Sequence, residues 1–246
     1  MTNGDLFQGA IALITGANKG IGYEIARGLG AKKIVVLIGA RDEARGQAAA
    51  AKLKGEGADA RFVPLDVTSK ETISRAAQWI EDQFGHLDIL VNNAGIAEWG
   101  SKPSDVDLAK VREVYETNLF GPMAVIQAML PLLRRSNHGR IVNVSSSLGS
   151  LSMANDPQSP VSQFVALGYN TSKTALNSMT VQFANELRET PIKVNAVCPG
   201  YCATDINGHS GPRSAAQGAM APVQYATLGD EGPSGGLFDE NGRVAW

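Results

Sequence analysis

The sequence predicts an α/β protein: a doubly wound, parallel sheet of about seven strands with helices on both faces. Three observations carry this. Short β-branched runs alternate with longer amphipathic stretches from one end of the chain to the other, the pattern of a parallel sheet wrapped by helices. A glycine cluster follows the first run and opens the first amphipathic stretch. Further polar and glycine motifs recur after later runs, at the strand ends where such sheets bind ligands. With 246 residues, 43% of them hydrophobic, the chain can bury both faces of one sheet. A single domain is expected over residues 1–246, its first half running from about 8 to 145 and its second from about 146 to 246.

Strands are read at Ala10–Ile14, Lys33–Ile38, Arg61–Pro64, Asp88–Asn92, Arg140–Val144, Lys193–Ala196 and Gly236–Phe238. Helices are expected near 20–30, 42–54, 70–84, 107–134, 169–189 and 213–226. The second opens at Asp42 and the third at Thr68 or Ser69, residue types that cap helix N-termini. The fourth contains Pro122, which has no N–H to give the carbonyl of Asn118 four residues earlier and whose ring crowds that oxygen. A kink with the Asn118 oxygen left free is expected there. The turn-rich Gly229–Gly236 stretch is too short to separate domains, and no internal repeat is evident.

Composition excludes several classes of function. The formal net charge is −2, and no basic run exceeds the pair Arg134-Arg135, so nucleic acid is not an expected partner. Met1 to Gln8 is short and polar, and no apolar run approaches the length of a membrane span, so a cytoplasmic protein is expected. The two cysteines, Cys198 and Cys202, read as free thiols, and three scattered histidines give no metal-ligand spacing.

The glycine cluster is Thr15-Gly16-Ala17-Asn18-Lys19-Gly20-Ile21-Gly22. Glycines permit the tight turn and let a diphosphate approach the free N–H groups at a helix N-terminus. The Gly-x3-Gly-x-Gly spacing departs from the commoner Gly-x-Gly-x2-Gly, but strand, turn and helix follow in the order a dinucleotide needs. At the end of the second strand an acidic residue suits a free ribose 2′-hydroxyl and a basic one a 2′-phosphate. Arg41 stands there, and Lys19 can reach the same group, so NADP(H) is expected over NAD(H). Asp42 opposes this reading, although it fits better as a helix cap. After the third strand, Asp66 can accept from an adenine amino group while Val67 packs on its ring.

In Tyr169-Asn170-Thr171-Ser172-Lys173, four residues of helix put a phenol and an ammonium on one face. A cation about 4 Å away contributes about 4 kcal/mol at an effective dielectric near 20, enough to lower a tyrosine pKa of about 10 by about three units. That is an expectation about charge alone.

Taken in order, the glycine loop, Asn92-Asn93-Ala94-Gly95, Asn118, Asn143-Val144-Ser145-Ser146-Ser147-Leu148-Gly149, Tyr169-x3-Lys173 and Pro199-Gly200 span nearly the whole chain. The chain resembles the short-chain dehydrogenases/reductases, and its Asn18-Lys19 and Ala40-Arg41 resemble the NADPH-dependent carbonyl reductases among them. The resemblance implies a Rossmann-type fold with Tyr169 as general acid/base and Lys173 as the residue that lowers its pKa and holds the nicotinamide ribose. It implies Ser146 on the substrate carbonyl, chosen over its neighbours because the family's serine lies three residues before the glycine matching Gly149. It also implies that the Asn118 backbone oxygen holds a relay water, and that Asn92, Ala94 and Gly95 support the cofactor. Pro199, Gly200 and Thr204 would lie beside the nicotinamide.

The activity so implied is reversible hydride transfer between NADP(H) and a small carbonyl or alcohol substrate. Two alternatives are carried: reduction of a 3-oxoacyl group on a carrier protein, and a non-catalytic NADP(H)-binding redox sensor. Substrate walls are expected from Ala94 to Gly100, from Asp205 to Thr227 and from the extra Leu151–Leu167 stretch, with Met153, Phe164, Val165 and Leu167 as apolar lining. Trp99 and Tyr201 offer aromatic surface near the entrance. Monomer and homo-oligomer both remain open.

Overall fold

A computed structural model describes residues 6–246; Met1–Asp5, the start of the stretch read for a targeting signal, lie outside the described residues. The strands are β1 (Ile11–Thr15), β2 (Val35–Ala40), β3 (Ala60–Pro64), β4 (Ile89–Asn92), β5 (Arg140–Val144), β6 (Lys193–Val197), β7 (Leu237–Asp239) and β8 (Gly242–Arg243). They form one sheet in the order β3-β2-β1-β4-β5-β6-β7-β8. Every neighbouring pair is parallel except β7 and β8. The order reverses between β1 and β4, so the connections leave those strands in opposite directions and open a crevice at their carboxyl ends.

Alternation along the strands builds the two core layers. Ala12 and Ile14 of β1 join Val36 and Ile38 of β2 on one face, whereas Ile11 and Leu13 join Leu37 and Leu90 on the other. Helices α1 (Gly20–Gly30), α2 (Glu43–Gly55), α3 (Lys70–Phe84), α4 (Leu108–Tyr115), α5 (Gly121–Leu133), α6 (Leu151–Asn155), α7 (Leu167–Glu186) and α8 (Ala215–Ala226) lie between the strands. Asp42 accepts from the Arg45 N–H at 2.9 Å and Ser69 from the Thr72 N–H at 3.3 Å, so both capping expectations hold, with Ser69 rather than Thr68 as the cap.

The structure differs from the sequence reading at identifiable places. An eighth strand of two residues folds back on β7 through a turn at Glu240 and Asn241, and opens on Gly242 at φ 128°. Strand β2 begins two residues later than expected, because Lys33 takes a left-handed φ of 64° in the turn out of α1. The expected helix over 107–134 is broken by a π-helical turn over Glu116–Phe120, where the Gly121 N–H bonds back to Glu116 O, five residues away. Pro122 follows immediately, so the break lies where the missing N–H places it.

One polar thread crosses the core. Asn92 Nδ2 donates to Asn143 Oδ1 at 2.9 Å, and Asn143 Nδ2 donates to Thr180 Oγ1 at 2.9 Å, tying β4, β5 and α7 together just below the crevice. Asn143 has no exposed surface. Asn143→Ala leaves the Asn92 amide without its acceptor and is expected to lower stability by about 1–3 kcal/mol. The measurement is a fall in the urea midpoint at unchanged m-value.

Candidate active site

One groove of about 1620 Å³ runs along the carboxyl ends of the strands. Every catalytic or cofactor-binding residue named from the sequence lines it except Asn92 and Asn118. Asn92 is the last residue of β4 and points into the core, whereas Asn93, the first beyond the strand, faces the groove. Asn93 Nδ2 donates to the Thr15 carbonyl at 2.9 Å, and the Thr15 hydroxyl accepts from the N–H groups of Asn93 and Ala94, each at 3.0 Å. This side chain fastens the glycine loop to the adjoining strand. Its signal in the sequence is the Asn-Asn pair straddling a strand end, but only the register says which of the two faces out.

The glycine loop has the shape a diphosphate needs. Gly16 and Gly20 sit at φ 64° and 57°, and a Cβ on Gly22 would lie 2.4 Å from Asn93 Nδ2 and 2.6 Å from Gly16 O. The N-cap of α1 is Lys19, whose side chain makes no capping bond, so the first turn of the helix keeps its N–H groups for an anion. At the end of β2, Arg41 is exposed and Asp42 is engaged by Arg45, in the cap and in a 3.1 Å ion pair. Lys19 pairs with Asp205 on the opposite lip, and Asp205 also meets His209 at 2.9 Å. Asp66 Oδ1 is held in a turn by the N–H and hydroxyl of Thr68 at 2.9 and 2.7 Å.

At the other end of the groove, α7 presents Tyr169 and Lys173. Gly149 explains how Ser146 reaches them: a Cβ there would lie 2.7 Å from the Lys173 carbonyl carbon and 2.8 Å from its Cβ. Without one, the loop after β5 packs directly on α7, fastened by Thr174 Oγ1 and Asn177 Nδ2 to the Gly149 carbonyl at 3.0 and 3.2 Å. The Ser145 hydroxyl is buried and donates to Asn177 Oδ1, while the Ser146 hydroxyl accepts from the Leu148 N–H at 3.1 Å and lies beside the Tyr169 phenol. Lys173 is 5% exposed; its Nζ donates to the Val144 carbonyl at 2.9 Å and lies 5.5 Å from the Tyr169 ring centroid.

This burial overturns the simple charge expectation. Removal from water pushes the Tyr169 phenol up to about 12, a rise that the neighbouring Ser146 hydroxyl only partly offsets. The same removal pulls the Lys173 ammonium down to about 8. The lysine faces the ring rather than lying in an open ion pair, so desolvation outweighs attraction. In the free protein the proton therefore stays on the phenol.

Asn118 stands behind the groove. Its side chain holds both backbone groups of Ile96, accepting from N at 2.9 Å and donating to O at 2.8 Å, and donates to Ser172 Oγ at 3.1 Å. The mouth is aromatic as expected: Trp99 packs on Tyr169 with centroids 5.5 Å apart, and Phe164 meets Tyr201 edge-on at 5.7 Å. Within the extra stretch, Phe164 lines the groove together with Pro160 and Val161, whereas Met153, Val165 and Leu167 do not. Pro160 and Val161 lie in a 3-10 turn at Pro160–Gln163, whereas Met153 lies in α6 and Leu167 opens α7. Gly200, at φ 77°, lets the Arg213 side chain pass, and Arg213 is clamped by Glu240 at 2.6 and 2.8 Å.

The short chain dehydrogenase family model matches residues 10–214. The chain belongs to that family. The (-)-isopiperitenone reductase of Mentha piperita is 34% identical, covering 95% of this chain and 97% of its own length. Carbonyl reductase [NADPH] 3 of Rattus norvegicus is 33% identical over 96% of this chain and 98% of its own. Among solved structures, the NADPH-bound carbonyl reductase from chicken fatty liver superposes with a TM-score of 0.83 at 29% identity, covering 98% of this chain and all of its own. In this short-chain dehydrogenase no cluster of potential metal ligands occurs among the described residues, and no helix among them is long and apolar enough to cross a membrane.

Proposed function

We propose that this short-chain dehydrogenase reduces the carbonyl group of small ketones and aldehydes with NADP(H). The observation that carries it is the meeting of Ser146, Tyr169 and Lys173 at one end of a groove whose other end holds a glycine cradle and Arg41. The cradle fits a dinucleotide diphosphate, because a side chain at Gly22 would fill the space the backbone leaves open. Arg41 would take the 2′-phosphate, Asp66 and Val67 the adenine, Ala94 and Gly95 the adenosine side, and Pro199, Gly200 and Thr204 the nicotinamide end. Relatives whose names state NADPH or NADPH-bound support the same choice. The nicotinamide, when bound, supplies the hydride for the carbonyl carbon.

Everything else is work for this chain's own groups. Ser146 donates to the substrate carbonyl and orients it towards the phenol. Tyr169 gives its proton to the oxygen as negative charge develops there. A phenol held near 12 is fully protonated at neutral pH, which suits reduction; the reverse oxidation needs the tyrosinate and gains only as pH rises. As the phenol gives up its proton, the O–H electron pair stays on its oxygen, and Lys173 in its charged form steadies the nascent tyrosinate. The Asn118 backbone carbonyl, within the π-helical turn, would hold the water that returns a proton along Lys173.

Other readings have less support. A carrier-bound acyl substrate needs a docking surface for an acidic protein, and the relatives described above are named for reductions of small molecules. A redox sensor has no use for the serine, phenol and ammonium together. The free, buried Cys198 and Cys202 suit a reducing compartment, and we place the enzyme in the cytoplasm.

NADPH consumption with a range of ketones, aldehydes and quinones tests the assignment. Tyr169→Phe is expected to lower kcat by about 10²-fold or more while NADPH still binds, because general acid catalysis contributes about that much. Arg41→Ala is expected to weaken NADPH binding by about 1.5–3 kcal/mol and leave NADH nearly unchanged, as read by ligand titration. For reduction, kcat/KM should fall as pH rises through about 8, where free-enzyme Lys173 loses its proton. A limb near 10 instead would contradict the burial argument.

A further inference from the structure

Helix α7 carries the reacting pair, yet it begins without a cap of its own. Its N-cap residue is Ala166, which has no side-chain oxygen for the free N–H groups of the first turn. That task falls to a residue far away in sequence. Glu98, in the loop after β4, accepts through Oε1 from the N–H of Gly168 at 2.5 Å and of Tyr169 at 3.3 Å. These are the second and third residues of the helix, the donors a cap side chain ordinarily satisfies. A carboxylate is favoured there by the helix dipole as well.

The contact is close and enclosed. A Cβ on Gly168 would lie 3.0 Å from Glu98 Oε2, so glycine at that position is what lets the carboxylate in. Oε2 is itself buried and takes no hydrogen bond, which leaves the helix end as the carboxylate's hydrogen-bonding partner. The same loop grips α7 twice more. Trp99 packs on the Tyr169 ring and donates its Nε1 to Ile206 O at 2.7 Å, and Ile96 is held by Asn118, which bonds Ser172.

We propose that Glu98 is a positioning residue for the reaction: by capping α7 from the neighbouring loop, it fixes the backbone of Tyr169 and hence where the phenol meets the substrate oxygen. This rests on the reading of Tyr169 given above. Glu98 does not line the groove, so it acts through Tyr169 and touches neither substrate nor cofactor.

The test is steady-state reduction with NADPH, together with direct NADPH titration and thermal melting, on Glu98→Ala, Glu98→Gln and Tyr169→Phe. Glu98→Ala is expected to lower kcat about tenfold or more, with the NADPH Kd within about twofold of wild type, since small misplacements of reacting groups cost that much. Glu98→Gln keeps an oxygen for both N–H groups and is expected to recover most of that loss. The proposal is overturned by a Glu98→Ala kcat equal to wild type, by a loss confined to melting temperature, or by a Glu98→Gln as slow as Glu98→Ala. Should Glu98→Ala not fold, Gly168→Ala, which crowds the same carboxylate, must lower kcat; an unchanged kcat there overturns the proposal too. An active Tyr169→Phe would instead overturn the functional reading, so the two failures are distinguishable.

Discussion

The buried Lys173 ammonium is the constraint on which the rest of this site depends. Taking such a group out of water is unfavourable by several kcal/mol unless it is bonded and partnered. Here the Val144 carbonyl and the Tyr169 ring supply the partners, and both are rigid: the one is the last residue of β5, the other one turn earlier on α7. Meeting that requirement draws α7 down onto the strand end. Gly149 has to be glycine for the loop between them to fit, and once it fits, Ser146 arrives at the phenol. The site's geometry thus follows from burying one charge.

The same burial sets the proton chemistry. Desolvation moves the two groups in opposite directions, the phenol up and the ammonium down, so the pair in the free protein is a protonated phenol above a weakly held charge. This arrangement suits delivery of a proton better than removal of one. Along the groove the character changes: charged side chains (Arg41, Lys19, Asp205, His209) gather at the loop and lip, and aromatic ones (Trp99, Phe164, Tyr201) at the substrate mouth. The match with the Mentha piperita reductase extends over 307 positions while taking in 95% of this 246-residue chain, so that relative carries segments this chain lacks.

Much of this was legible in the sequence, for physical reasons. Parallel strands buried on both faces read as apolar runs, and the glycine loop, Arg41, Ser146 and the Tyr169/Lys173 spacing are local patterns tied to strand ends and one helix. Pro122 predicted a break in its helix, because a missing N–H is a local fact; the widened π turn that realises the break depends on how Gly121 packs against Val67, which is tertiary. Asn92 and Asn93 were inseparable without the strand register. Spacing reports a nearby charge but not how much water is lost around it, so it points the Tyr169 shift downward where desolvation drives it up. Glu98 was invisible, since the helix it caps begins far along the chain, and the sequence signal was only the alanine where a cap is usual.

Hydride and proton are expected to reach the carbonyl in one step at the catalytic end of the groove. Single-turnover oxidation of NADPH by a ketone reads that step directly, apart from product release. With C4-deuterated NADPH and with D2O, each isotope should slow the wild-type turnover, and the two effects together should slow it further. A turnover indifferent to the C4 deuterium, or one whose D2O effect survives in Tyr169→Phe at an undiminished rate, would contradict the account.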